Sequence, residues 1–392
     1  MLENLFVNLS VTVASLLGRF LPGWLVDLIL ALITVVIVVT FASLVVLILI
    51  NWAERKVLGR IQDRPGPNRV GPLGILQGPA DAIKLFTKED TTPAQADRLV
   101  YNLAPIVIVI PVLAVFAVIP FGRGMYPADL NIGILYVLAV SSAETIGILM
   151  AGWGSRNKYA LLGAMRGIAQ LVSYEIPLLL SIVGVLLLAG SLSIVQIVEG
   201  QARVWYVVLQ PLGFLIFLIA TLAEVERTPF DIMEAESELV AGHHIEYSGM
   251  KFAMFYLAQY VGAFAMSLIA ALVFLGGWHG PILPSWAWVF LKAFFVYMVL
   301  VWIRGTLPRF RVDQLMAFAW KFLVPLALAN LLVAALVQGV VDRSQVATFT
   351  LASLAANGVL LLLATLAIAL WARRQRLQVR GLAFEPARRT TV

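Results

Sequence analysis

Long apolar runs, each closed by a short polar or Gly/Pro-containing stretch, recur along this 392-residue chain. Nine of them approach or exceed the about 20 residues that a helix needs to cross a hydrocarbon core. They cover residues 24–51, 99–121, 130–153, 165–189, 205–223, 250–276, 286–303, 315–340 and 348–371. Core helices of a soluble protein are shorter and alternate with amphipathic ones. The pattern therefore predicts an all-α, polytopic membrane protein with about nine transmembrane helices and long cytoplasmic loops. Residues 1–23 read as an interfacial segment, 24–371 as a single transmembrane domain and 372–392 as a basic tail. A secretory signal does not fit the first segment. Glu3 stands where a cationic region belongs, and no small-residue cleavage pattern follows.

Composition agrees: 61% of residues are apolar and 13% charged. The distribution of those charges orients the chain. Segments 52–98, 154–166, 224–251, 304–313 and the tail hold most of the Lys and Arg, while the opposite set holds only Arg19, Arg123, Arg203 and Arg343. Positive residues stay on the cytoplasmic side, so the long loops and the C-terminus are expected there. The tail carries Arg373, Arg374, Arg376, Arg380, Arg388 and Arg389 against Glu385. Beside a membrane it reads as a topology anchor and a contact for anionic lipid, not as a nucleic-acid surface.

The residue inventory narrows the chemistry. Without cysteine the chain cannot ligate an iron–sulfur cluster through thiolates. Of its histidines, His243 and His244 are adjacent in a loop and His279 stands apart, which does not suit a membrane-spanning bis-histidine haem. No metal site is expected. The glycines at Gly122, Gly124, Gly276 and Gly277 sit in short turns rather than in a phosphate-cradling loop. Electrons handled near this chain must come from another subunit or a diffusible carrier.

Two cytoplasmic loops stand out. The first starts at Asn51, runs through Glu54-Arg-Lys56 and a Gly/Pro-rich stretch to Pro72, and continues into an amphipathic segment holding Asp81. Its glycine and proline spacing fixes turns, and the amphipathic part suits a helix lying on the membrane. The loop at 224–251 opposes the general basic bias. Glu224, Glu226, Asp231, Glu234, Glu236, Glu238 and Glu246 face only Arg227 and Lys251 in charge. Clustered carboxylates raise one another's proton affinity, which suits proton uptake; a solvated acidic face docking on a basic partner is the other reading of the same composition.

Residues 224–249, with Glu224-Val-Glu-Arg-Thr-Pro-Phe-Asp231 at their start and His243-His-Ile-Glu-Tyr247 near their end, resemble the signature loop of the H-subunit family of bacterial NADH:quinone oxidoreductase. That enzyme is respiratory complex I, and the mitochondrial counterpart of this family is NADH dehydrogenase subunit 1. Glu54-Arg-Lys56, Gly66-Pro-Asn-Arg-Val-Gly-Pro72, Lys158-Tyr-Ala-Leu-Leu-Gly163, Ser173-Tyr-Glu-Ile-Pro177 and Arg304-Gly-Thr-Leu-Pro-Arg309 match in order over about 24–340. The resemblance implies a bacterial inner-membrane subunit that joins the redox arm to the proton-pumping arm. It implies that the chain forms the entrance and much of the wall of the quinone chamber, with quinone as substrate. FMN and the iron–sulfur clusters then belong to partner subunits, one of which faces the quinone headgroup. Other complex I subunits, quinone and membrane lipids are the implied partners. Glu54, Arg55, Asp81, Glu224, Glu226, Asp231, Arg304 and Arg309 are the implied quinone-chamber residues.

Ionisable groups inside a membrane are functional candidates, because an unpaired charge there is costly. Glu175 lies nine residues past Arg166, roughly 13 Å deeper at about 1.5 Å per residue. Glu144 lies nine residues before Trp153 in the preceding span, so the two carboxylates are expected at similar depth. Gln259, nine residues past Met250, reaches the same level in a third helix. The resemblance implies a glutamate at position 259, and Glu144 is read as the carboxylate relocated across the bundle. The expected proton path comprises Glu144, Glu175, Gln259 and the loop acids Glu234, Glu236, Glu238 and Glu246. Lys292 is expected to snorkel to the far interface.

Two other functions account for part of this pattern. A stand-alone ion transporter explains buried carboxylates but not the two conspicuous loops, and no repeat of broken helices supports it. The membrane anchor of a related energy-converting hydrogenase shares the scaffold; quinone-dependent NADH oxidation separates it.

Overall fold

The computed structural model describes residues 12–15, 17–18, 22–233, 242–341 and 345–383. Glu234, Glu236 and Glu238 lie outside the described residues, as do most of segment 1–23, Arg343 and the end of the tail.

Among the described residues, eight helices are long and apolar enough to cross a membrane, and a shorter apolar helix, Pro211–Glu224, joins them. No strand is formed among these residues; Gly122 and Met125 make an isolated bridge. The bundle is all-α, in agreement with the apolar pattern. Helix α1 (Gly23–Val45) passes through a π-helical turn, Val46–Ile50, into α2 (Asn51–Ile61). A loop leads to α3 (Gln77–Thr87) and then to α4 (Arg98–Ala114). The third crossing is made of α5 (Gly133–Ser141) and α6 (Glu144–Gly154). Next come α7 (Lys158–Ala189), α8 (Ile194–Gly200), α9 (Tyr206–Leu209) and α10 (Pro211–Glu224). The remaining helices are α11 (Gly249–Val273), α12 (Ser285–Thr306), α13 (Val312–Phe318), α14 (Val324–Val340) and α15 (Val346–Ala383).

Helix α11 is the hub. It packs against α4 and α12 and is buried continuously from Ala263 to Val273, whereas the spans Leu32–Ile61 and Val346–Leu366 keep most of their surface outward, as lipid-facing helices do. Small residues let the elements close. Any side chain at Gly78 on α3 would collide with the Leu47 carbonyl, so α3 lies directly against the π turn.

Several boundaries differ from the expectation. The first helix does not stop at residue 51 but runs to Ile61, because nothing between Asn51 and Ile61 breaks a helix until Pro65 and Gly66. The run 205–223 is interrupted at Gln210 (φ −134°, ψ 64°), where Pro211 starts a new helix because it has no N–H for the preceding turn. The helix expected from 165 begins at Lys158, capped by the Asn157 side chain, which accepts from the Tyr159 N–H at 2.9 Å. Residues 372–383 continue α15 rather than forming a separate tail.

Candidate functional site

The π turn at Val46–Ile50 adds a residue to the helical repeat and resets the direction in which α2 presents its side chains. Glu54 is thereby turned into the protein, where it is 1% exposed. Arg227 Nη1 donates to Glu54 Oε1 at 2.8 Å, and Arg304 Nη1 donates to the same oxygen. Tyr297 donates its hydroxyl to Glu54 Oε2. Tyr297 and Arg304 are seven residues apart on α12, about two turns, so they share a face. The Arg227 guanidinium also lies over the Tyr260 ring at 4.4 Å, a cation–π contact inside the bundle. Two arginines against one carboxylate leave this node positive. Charges so deep are tolerated only with such dense pairing, since each costs several kcal/mol to strip of water.

Arg55, the next residue, points about 100° away on the helix. It pairs with Asp81 on α3 at 2.6 Å, and Gln77 Nε2 donates to the other Asp81 oxygen at 3.0 Å. Arg309, just past α12, pairs with Asp231 at 2.9 Å. These two pairs are half-exposed and flank the Glu54 node. The structure thus joins Glu54 with Arg304, Arg55 with Asp81, and Arg309 with Asp231.

On the other side of residue 227 the chain opens into the bundle. Glu226 holds a left-handed backbone (φ 55°), a conformation that costs a non-glycine residue energy and is retained where the surroundings enforce it. The corner separates neighbouring side chains. Glu224 and Glu226 line a cavity with about 540 Å³ of empty space, together with Glu144 and Ser141 from the third crossing and Gln259 from α11. A smaller cavity of about 270 Å³ is lined by Glu144, Glu226, Gln259 and His243, with Ile108, Ile148 and Phe255. Glu144, Glu226 and Gln259 line both. Glu175 lines neither cavity.

Residues 242–247, at the end of the loop, are pinned. A side chain at Gly163 on α7 would meet the Gly242 Cα at 2.6 Å, so loop and helix touch backbone to backbone. Tyr101 and Tyr247 stack at 4.1 Å; each donates its hydroxyl to the other's segment, to the Glu246 carbonyl at 2.8 Å and to the Tyr101 carbonyl at 3.1 Å. Burial pushes the Tyr247 phenol above its ordinary range, with Tyr101 adding to it. Glu246 accepts from Asn157 Nδ2 at 2.6 Å, which places it beside α7 and apart from both cavities. His243 is buried, and burial, with His244 beside it, holds its imidazole well below the usual 6.5. No group of three or more His, Cys, Asp or Glu residues forms a possible metal site among the described residues.

Lys292 differs from expectation. It reaches toward the end of the bundle, but into protein: its Nζ donates to the Gly277 and His279 carbonyls at 2.9 and 2.7 Å and lies 4.3 Å over the Trp205 ring. The turn before α12 supplies both acceptors. Beside it, burial lowers the His279 imidazole, while the Val198 carbonyl, 3.0 Å away, opposes that shift.

Arg227, Tyr260, Tyr297 and His243 belong to the site but do not stand out as site residues in the sequence. A signal exists for Arg227, which is the lone arginine among the acids of residues 224–246. The seven-residue spacing of Tyr297 and Arg304 is also visible.

The chain matches known proteins along most of its length. The family model for NADH dehydrogenase matches residues 33–335. The chain is 58% identical over 302 residues to the NADH-quinone oxidoreductase H subunit of Dehalococcoides mccartyi strain CBDB1, covering 77% of this chain and 85% of that one. It is 48% identical over 338 residues to the corresponding H subunit of Carboxydothermus hydrogenoformans, covering 84% and 96%. The H subunit of Geobacillus kaustophilus is 54% identical over 291 residues, 73% of this chain and 87% of its own length.

Proposed function

The chain belongs to the NADH dehydrogenase family, and from that premise we propose that it is the membrane-arm subunit of a proton-translocating NADH:quinone oxidoreductase that forms the entrance and wall of the quinone chamber. In this reading Glu54, Arg227, Tyr297 and Arg304 form the inner wall, and the Arg55–Asp81 and Arg309–Asp231 pairs flank it. Glu224 and Glu226 connect that wall to a proton path through Glu144, Gln259 and Glu175. The cluster-bearing partner subunit supplies electrons, FMN lies in another partner, and membrane lipid surrounds the bundle. The location is the bacterial inner membrane, with loops and C-terminus in the cytoplasm. Nucleic acid has no part.

The observation that carries this reading is the continuity of residues 224–227. Glu224 and Glu226 line the larger cavity, and the adjacent Arg227 pairs with Glu54. Reduction of a quinone to a quinol takes two electrons and two protons. Negative charge created near the Glu54 node pulls on Arg227 and Arg304 and raises the proton affinity of nearby carboxylates. The connected acids then take up protons that the next event releases. The chain supplies position and electrostatics; its neighbour supplies the electrons.

The test uses membranes carrying the whole complex. Co-purification with flavin and iron–sulfur subunits, with inhibitor-sensitive, quinone-dependent NADH oxidation, is the expected result. Glu54→Gln is expected to lower that activity on the order of ten-fold. A complex that oxidises NADH with quinone equally well after this change overturns the assignment of the chamber wall.

A further inference from the structure

The smaller cavity holds a group that the proton path above leaves out. His243 is 4% exposed, and its Nδ1 has no hydrogen-bond partner among the described residues. It lines the cavity with Glu226 from the loop corner and Glu144 from the membrane interior. Its ring stands edge-on to Phe255 at 5.2 Å and to His244 at 4.9 Å, so the imidazole has defined walls. The contact between Gly163 and Gly242 fixes the backbone one residue earlier. An imidazole nitrogen in a polar pocket with space for water is satisfied by water, because a buried polar atom without a partner is costly.

We propose that His243 is a proton-positioning residue that joins Glu226 to Glu144 through hydrogen-bonded water in the smaller cavity. The inference rests on the proton path proposed above and adds a member to it. A neutral imidazole carries one donor and one acceptor nitrogen, so it continues a hydrogen-bonded chain in both directions. A proton arriving at the acceptor nitrogen is matched by departure of the proton on the other nitrogen. The ring ends neutral in its other tautomer, and no electron moves. Reorientation of the ring or of the flanking waters restores the first tautomer. The titratable groups facing this ring are Glu144 and Glu226 across the cavity and His244 beside it. Burial and His244 keep the resting imidazole uncharged, the form this role requires.

The test compares His243→Phe, His243→Gln and His243→Ala in membranes containing the assembled complex. Assembly is checked by the co-purified flavin and iron–sulfur content. The Phe variant keeps the ring's bulk but has no nitrogen. It is expected to lose about ten-fold in proton uptake coupled to NADH:quinone turnover. The Gln variant is expected to retain several times more activity than Phe, with a larger solvent deuterium isotope effect than the parent. Added imidazole is expected to raise the Ala variant in a saturable manner and to leave Phe unchanged. An assembled Phe variant with parental proton uptake and a parental isotope effect overturns the proposal. So does an assembled set in which Gln equals Phe and imidazole rescues nothing. If the parent membranes lack inhibitor-sensitive quinone reduction altogether, the underlying functional reading fails instead.

Discussion

Arg227 and Glu54 stand 173 positions apart in the sequence, yet their side chains meet at 2.8 Å inside the bundle. The pair ties the acidic loop to the inner end of the first helix. Each partner is at most 6% exposed, so it is a buried ion pair, and it shares Glu54 with Arg304 and Tyr297.

Arg227→Met is therefore expected to destabilise the subunit by about 1.5–3 kcal/mol, the range for a hydrogen bond between charged groups. The larger cost of an uncompensated buried charge does not arise, because Arg304 and Tyr297 still hold Glu54. Thermal unfolding of the detergent-solubilised complex, followed through release of this subunit, measures it. An unchanged transition contradicts the pairing.

Glu144 and Gln259 line the same two cavities, which makes relocation of the carboxylate testable. Glu144→Gln is expected to abolish most coupled proton uptake, and the double change Glu144→Gln with Gln259→Glu to recover a large part of it. Proton uptake by inverted membrane vesicles at matched NADH oxidation is the readout. Intact pumping in the single variant removes the relocation idea.

His243 gives a pH dependence with a definite sign. Its folded-state proton affinity is lowered from 6.5 by burial first and His244 second. The unfolded chain therefore binds more protons as pH falls below about 6.5, and stability is lost from there down through the lower folded value. The slope for one group is at most about 1.4 kcal/mol per pH unit. Unfolding of the complex between neutral and mildly acid pH is expected to show this loss, and His243→Phe to remove that component. Equal slopes in both proteins refute it.

Lys292→Met is expected to cost about 2–3 kcal/mol, since two charge-assisted hydrogen bonds to the Gly277 and His279 carbonyls disappear. Quinone affinity is expected to stay constant, because Lys292 stands at the end of the bundle away from the Glu54 node. Protease sensitivity of residues 274–284 and the KM for quinone test the two halves. A KM that rises with unchanged protease sensitivity assigns the residue to substrate instead.

The membrane helices are legible in the sequence because a hydrocarbon solvent demands long apolar runs, which can be seen without knowledge of contacts. Breaks inside the runs are harder to see. Gln210–Pro211 interrupts a stretch whose composition stays apolar on both sides, and the π turn at Val46–Ile50 leaves no mark in Val and Ile residues. Glu54 is legible as a charge in a motif, but its burial is not. The charges of residues 54–56 read as the start of a loop, whereas helix propensity carries α2 on to Ile61. His243 shows the same limit from the other side. Glu226 belongs to the same loop, but Glu144 comes from a distant part of the chain, and only the fold brings the three to one cavity. The shared depth of Glu144 and Gln259 is more legible, because helical rise converts residue counts into height even when rotation about the axis is unknown.

The left-handed corner at Glu226 has a mechanical consequence. Its side chain faces the cavities while that of the next residue, Arg227, grips Glu54. Adjacent residues share one peptide plane, so the backbone that separates the buried ion pair from the cavity lining is a single peptide unit long.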